Sequence, residues 1–135
     1  MAHESVQLTP WIQLAGALQL AVASANLFAP RLLHYRENAA RLDPLVRKIF
    51  LVHNIYIGLT VVGLAMVCLL FPGDLAGGGG LGRFLTGFLG SFWGLRLAIQ
   101  VGYYGSPDNL RPFHVAFTAV FLYLFAVFCL AALKR

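Results

Sequence analysis

Acidic side chains are the scarcest chemistry in this chain. Five Asp and Glu stand against ten Lys and Arg in 135 residues, and none of the five lies in a long apolar run. That absence leaves the interior without paired carboxylates for acid/base catalysis. Cysteine is nearly as rare: Cys68 and Cys129 make no C-x-x-C pair, so thiol redox chemistry has no sequence support. H-E-x-x-H does not occur, and no Ser-His-Asp set can be gathered at one depth. Strand-like alternation is also missing, which excludes a transmembrane barrel.

Apolar residues are abundant instead. They make up 59% of the chain, only 11% is charged, and the mean hydropathy is +0.76. A soluble domain is roughly half apolar and a quarter charged. Four runs, residues 11–29, 49–71, 84–104 and 112–133, hold 19 to 23 residues each. A helix needs about 20 to cross a bilayer, and lipid compels each span to satisfy its own backbone as a helix. Asp43 before Pro44 reads as an N-cap and first-turn proline, which moves the start of the second span back and gives 44–71.

The segments outside the spans are short. Ten residues precede the first span, and His3 and Glu4 stand where a signal peptide would carry a basic n-region. The linker "PRLLHYRENAARLDPLVRK" places Leu32, Tyr35, Ala39 and Leu42 on one helical face, with Glu37 and Arg41 spaced as an i,i+4 ion pair. It reads as a short helix on the membrane surface, whose arginines attract anionic lipid. The connection "PGDLAGGGGLGR" satisfies G-x-G-x-x-G at Gly77, Gly79 and Gly82, but a membrane span precedes it instead of a βαβ strand. Arg83 and Phe84 also replace the Lys and Ser/Thr of a phosphate loop. A flexible loop is the expectation there, and a turn is expected over residues 105–111.

The net charge of +5 reads as topology. Arg31, Arg36, Arg41, Arg47, Lys48 and Arg111 lie on one side, and Arg83, Lys134 and Arg135 on the other. The positive-inside rule then places the linker in the cytoplasm and both termini outside, in a cell's inner (plasma) membrane. No nucleic-acid partner is expected, because the aromatic residues lie within the spans instead of on a basic surface.

Polar residues within the spans gather at one depth. Asn26 ends the first span, His53, Asn54 and Tyr56 begin the second, Arg96 and Gln100 end the third, and His114 begins the fourth. Alternating spans bring all of these to the cytoplasmic leaflet. Three stripes with spacings of three or four are expected to face one interior: Gly16, Gln19, Ala23 and Asn26; His53, Tyr56, Thr60 and Gly63; Trp93, Arg96, Gln100 and Tyr103. Gly87, Gly90, Ser91 and Gly94 form a close-packing face on the third span. Gly90 and Gly94 make a G-x-x-x-G, whose neighbour is either internal or another copy of the chain.

Arg96, about 12 Å from the end of its span, has no Asp or Glu in any span to neutralise it. Three readings fit it: snorkelling to headgroups, an internal hydrogen-bonded role, or an anion site. His53 reads as a satisfied bundle histidine and His114, beside Arg111 and Pro112, as an interfacial one, while the pair are weak candidates for haem or metal ligation. Cys68 and Cys129, at similar depth, read as small buried thiols at helix contacts.

The segment "LAIQVGYYGSPD", together with the chain's length, resembles small four-span scaffold proteins of ergosterol biosynthesis, over twelve residues of unspecific type. The membrane-associated eicosanoid and glutathione metabolism family shares the four-span outline, but its second-span glutamate has no counterpart in "VHNIYIGLT". No residue role carries over from either.

The expected protein is all-α: one domain over residues 1–135, an integral membrane four-helix bundle with an interfacial helix between its first two spans. Its expected role is a non-catalytic subunit or scaffold in a larger membrane assembly or homo-oligomer, in contact with membrane lipids. The alternative is a binder of an anionic lipid, quinone or haem at the polar cluster, which could then act as a small enzyme.

Overall fold

The computed structural model describes residues 2–104 and 111–134. The turn read over residues 105–110 and the terminal Arg135 lie outside them. Six helices follow in order: α1 (Ala2–Leu32), α2 (Tyr35–Ala39), α3 (Pro44–Leu70), α4 (Pro72–Ala76), α5 (Gly80–Gly102) and α6 (Arg111–Leu133). Stretches of α1, α3, α5 and α6 are long and apolar enough to cross a membrane: Gln7–Arg31, Pro44–Leu70, Gly80–Gly102 and Arg111–Leu133. The protein is an all-α, four-helix membrane bundle, and no strand occurs among its described residues. The end carrying the α1–α3 linker and the α5–α6 turn is called the linker face below, and the opposite end the termini face.

Local chemistry sets the helix boundaries. Asp43 caps α3 by accepting the Leu45 amide at 2.9 Å, and Pro44 occupies the first turn. The linker forms less helix than its periodicity suggested. His34 adopts the left-handed conformation (φ 51°, ψ 42°), and α2 spans only five residues. Glu37 therefore lacks the helical turn that would bring it to Arg41; its carboxylate lies 3.9 Å from His34 Nδ1 instead.

Two further expectations are corrected. The ten residues before the first span are not a separate tail, because α1 is continuous from Ala2 with Pro10 inside it. The glycine-rich connection is not a plain loop. Pro72–Ala76 forms α4, which buries Leu75 and Ala76 in the core, and Gly78 (φ +71°) turns the chain into α5. A Cβ on Gly82 would collide with the Asp74 carbonyl, so α4 and the start of α5 meet backbone to backbone.

Packing is uneven. The α5–α6 hairpin is the most intimate pair, α1–α3 comes next, and α1 joins the two pairs through α6 and α4. The core face of α1 is Ile12, Ala15, Gly16, Gln19, Val22 and Ala23, a continuous stripe at helical spacing. α3 buries Val61, Ala65 and Cys68. The stripe read from its sequence, His53, Tyr56, Thr60 and Gly63, is exposed. α3 packs along α1 alone among the long helices, so only one narrow face of it enters the interior.

The glycine face on α5 has an internal neighbour, α6. A Cβ at Gly94 would sit 2.8 Å from the Phe125 ring, and one at Gly90 would lie 3.4 Å from Cys129 Sγ. Gly87 has open space beside it, and Ser91 is exposed with its hydroxyl donating to Gly87 O at 3.0 Å.

These contacts separate two substitutions on one helix. Gly82→Ala should cost about 1–3 kcal/mol, because the obstructing atom is backbone and cannot rotate away, whereas Gly87→Ala should leave thermal stability in detergent unchanged. Equal melting temperatures for the two variants would refute the close α4–α5 contact.

Candidate functional site

A cavity of about 790 Å³ opens at the linker face between α1 and the α5–α6 hairpin. α1 lines one wall with Val22, Asn26 and Phe28, and its last turn adds Arg31. α5 supplies Arg96 and Gln100, followed by Tyr104. α6 supplies Phe113, His114, Phe117 and Phe121, and Leu33 and Tyr35 of the linker border the mouth. Two arginines thus face the space with no carboxylate among the described lining residues.

Arg96 is the central group. It lies six residues before the end of α5, about 9 Å along the axis. Its guanidinium carbon sits 5.1 Å from the Tyr104 ring centroid and 5.0 Å from that of Phe121. Both are cation–π distances, which hold the charge without a counter-ion. Nη1 is shut off from solvent with no hydrogen-bond partner, and a buried donor left in that state is costly. The guanidinium packs on two rings and its Nη1 is enclosed, which fits the internal role read for this residue.

The hydrogen-bonded neighbours explain how the site is held. His114 Nε2 lies 3.1 Å from the Gln100 carbonyl, one of the last-turn acceptors that a helix C-terminus leaves open. His114 thus ties the start of α6 to the end of α5. Thr118 donates to the His114 carbonyl at 2.7 Å. Phe121 is clamped from behind, its ring stacked on Trp93 at 5.5 Å.

Above the cavity, toward the termini face, Gln19 closes the gap between α1, α3 and α5. It is fully buried. Its Nε2 donates to Cys68 Sγ at 3.3 Å and to the Ala15 carbonyl at 3.3 Å, and its Oε1 accepts from Trp93 Nε1 at 3.2 Å. Tyr123 adds a second tie by donating to the Trp11 carbonyl at 3.0 Å.

Of the residues singled out from the sequence, Asn26, Arg96, Gln100 and His114 line the cavity together. His53, Asn54 and Tyr56 do not. They lie exposed on α3, with His53 Nδ1 3.2 Å from the Ile49 carbonyl of its own helix. The two histidines are therefore not presented to one iron or metal, and no group of three or more metal-binding side chains occurs among the described residues. Tyr103, placed by spacing in the Arg96 stripe, is 83% exposed, while Tyr104 takes the ring contact. α5 ends at Gly102, so helical spacing no longer applies to either tyrosine. The sequence reading also missed Phe121, Phe117 and Phe113, whose spacing of four marks one face of α6. Arg31 had counted only as a topology charge.

The Gln19 junction predicts a measurable coupling. Gln19→Leu should lower stability by about 1–2 kcal/mol by stranding Trp93 Nε1. Trp93→Phe should cost a similar amount, and the double variant less than the sum, in thermal unfolding followed in detergent. Strict additivity would show that the two side chains act independently. No family model, curated protein or solved structure matches this chain.

Proposed function

We propose that this chain is a membrane-embedded binding protein that holds an amphiphilic small molecule, a lipid or a quinone, in the cavity between α1 and the α5–α6 hairpin. The cavity itself carries this reading. Its volume, about 790 Å³, falls within the roughly 300–1,000 Å³ of small-molecule sites. Aromatic and aliphatic walls surround a few convergent polar groups, Arg96, Gln100, His114 and Asn26, as such sites require. The close-packing glycines that could have served assembly are occupied by α6, which shifts weight from a scaffold to a ligand site. Haem is the least favoured occupant, because His114 lies against the Gln100 carbonyl and His53 is elsewhere.

Native mass spectrometry of protein extracted in mild detergent tests the reading. A retained adduct of lipid or quinone mass is expected. Ala25→Trp, which fills the cavity from α1, should lose it without lowering the melting temperature. An adduct indifferent to that substitution would overturn the assignment.

The orientation proposed with it has the linker face in the cytoplasm of a cell with a single inner, or plasma, membrane, and both termini outside. Six cations against three support this. With Cys68 and Cys129 replaced by alanine, Asn38→Cys should be protected from an impermeant thiol reagent in intact cells, and Gly79→Cys should react. Labelling at Asn38→Cys alone would reverse the orientation.

A second reading, subunit of a larger membrane assembly, draws support from α3. Asn54 and Tyr56 are exposed, and neither side chain has a hydrogen-bond partner among the described residues. They lie about 9–12 Å along the helix from Lys48, where lipid chains offer no partner. Asn54→Leu should reduce the particle mass in mild detergent if another helix covers this face. An unchanged mass would leave α3 facing lipid.

A further inference from the structure

The geometry points to a more definite ligand: an amphiphile with one apolar chain and a compact oxyanion head, carboxylate or phosphate, bound by the Arg96 guanidinium. This rests on the cavity being a ligand site and adds the chemistry of the head.

An arginine cannot give up its charge in a protein, and its cost within a span calls for a partner. No carboxylate occurs among the described residues that line the cavity, and no Asp or Glu lies in any of the four apolar runs of the chain. The guanidinium carbon lies over the Tyr104 and Phe121 rings at 5.1 and 5.0 Å, contacts that supply no hydrogen-bond acceptor to its planar edge of N–H donors. Nη1 on that edge has no acceptor. A planar fork of N–H groups matches a flat or trigonal oxyanion, which accepts two parallel hydrogen bonds. A neutral carbonyl or hydroxyl would satisfy one donor and leave the charge unmatched.

Position then restricts the size of the head. Arg96 lies about 9 Å inside the end of α5, past a mouth bordered by Leu33, Tyr35 and Phe113. A bulky headgroup would have to be dragged through apolar side chains to reach it, while a bare carboxylate or phosphate would not. Arg31 adds a second positive charge, with no acid among the described lining residues. The charges of the described lining residues therefore favour an anion. The cleft between α1 and α6 supplies apolar wall for one chain, through Val22, Phe28 and Phe117.

Three probes with the same acyl chain separate the contributions: oleate, oleoyl lysophosphatidate and the uncharged monoolein. Each is titrated into purified protein in neutral detergent and followed by native mass spectrometry. Oleate or the lysophosphatidate, or both, should bind at least about tenfold more tightly than monoolein, as one good charge-assisted contact provides. The preferred probe identifies the head as carboxylate or phosphate. Arg96→Gln should remove the preference and leave monoolein binding in place, while Arg96→Lys, a charge without the fork, should retain only part of it. The comparison of probes on the unaltered protein needs no variant, so it stands even if Arg96→Gln unfolds.

Equal binding of all three probes would overturn the anionic head and leave the cavity assignment standing. Binding of none would overturn both. Inorganic phosphate that displaced oleate at equal concentration would show a free-anion site with no use for the chain, and would also refute the proposal.

Discussion

The bundle depends on one buried amide. Gln19 is the only side chain whose hydrogen bonds reach two other long helices, donating to Cys68 on α3 and accepting from Trp93 on α5 among the described residues. In lipid, no hydrophobic gain separates a helix facing its neighbour from one facing acyl chains, so association rests on close packing and interhelical hydrogen bonds. α1 has to serve two neighbours at once: α3 on one side and the α5–α6 hairpin on the other. Gly16 admits Leu69 and the Ala65 carbonyl of α3, and one turn later Gln19 fixes the third helix. An isosteric Glu could not do the same work, because it would present no amide hydrogen to the Cys68 sulfur.

Burial is shared unequally between the two ends. Toward the termini face Ile12, Leu75, Leu89, Leu124 and Phe128 are buried in one core, with Gly16, Gly90 and Gly94 admitting their neighbours closely. Toward the linker face Phe28, Tyr104 and Phe113 stay more than half exposed and line the cavity, whose floor is the Trp93–Phe121 stack. The same stack holds Phe121 against Arg96, so the core packing that bounds the space also positions its charge.

Much of this could be read in the sequence, and the failures share a physical origin. Spans are legible because lipid demands length and apolarity, and the α3 start is legible because Asp43 and Pro44 act locally. The α1 face was legible because Gly16, Gln19 and Ala23 differ from their neighbours in size or polarity. On α3 the same rule misled: His53, Tyr56, Thr60 and Gly63 look like an interior stripe, yet the buried set is Val61, Ala65 and Cys68. A membrane helix is apolar on both its packed and its lipid faces, so polarity does not identify the inside unless several neighbours surround the helix. α3 has one long neighbour. The partner of Gly90 and Gly94 was likewise undecidable, since small residues announce a close approach without naming what approaches. In "PGDLAGGGGLGR" the four successive glycines masked a short helix, because the burial of Leu75 and Ala76 beneath α1 is a tertiary effect that local propensity does not contain.

The missing carboxylates, the first feature of the sequence, acquire their meaning from the surroundings of Arg96. Had an Asp stood on α1 at the level of Asn26, the pair would have closed the cleft with an internal salt bridge, and the site would have had no electrostatic demand left to meet. The ring faces of Tyr104 and Phe121 instead stabilise the cation partially. They lower the cost of burying it without using up its hydrogen-bonding edge. Aromatic contacts can keep an arginine folded into a membrane interior while leaving it chemically unsatisfied, which a carboxylate cannot do. Under the proposal of an anionic ligand, the scarcity of acid becomes a condition for binding as well as a trait of composition: rings hold the positive charge in place, and no carboxylate among the described lining residues neutralises it.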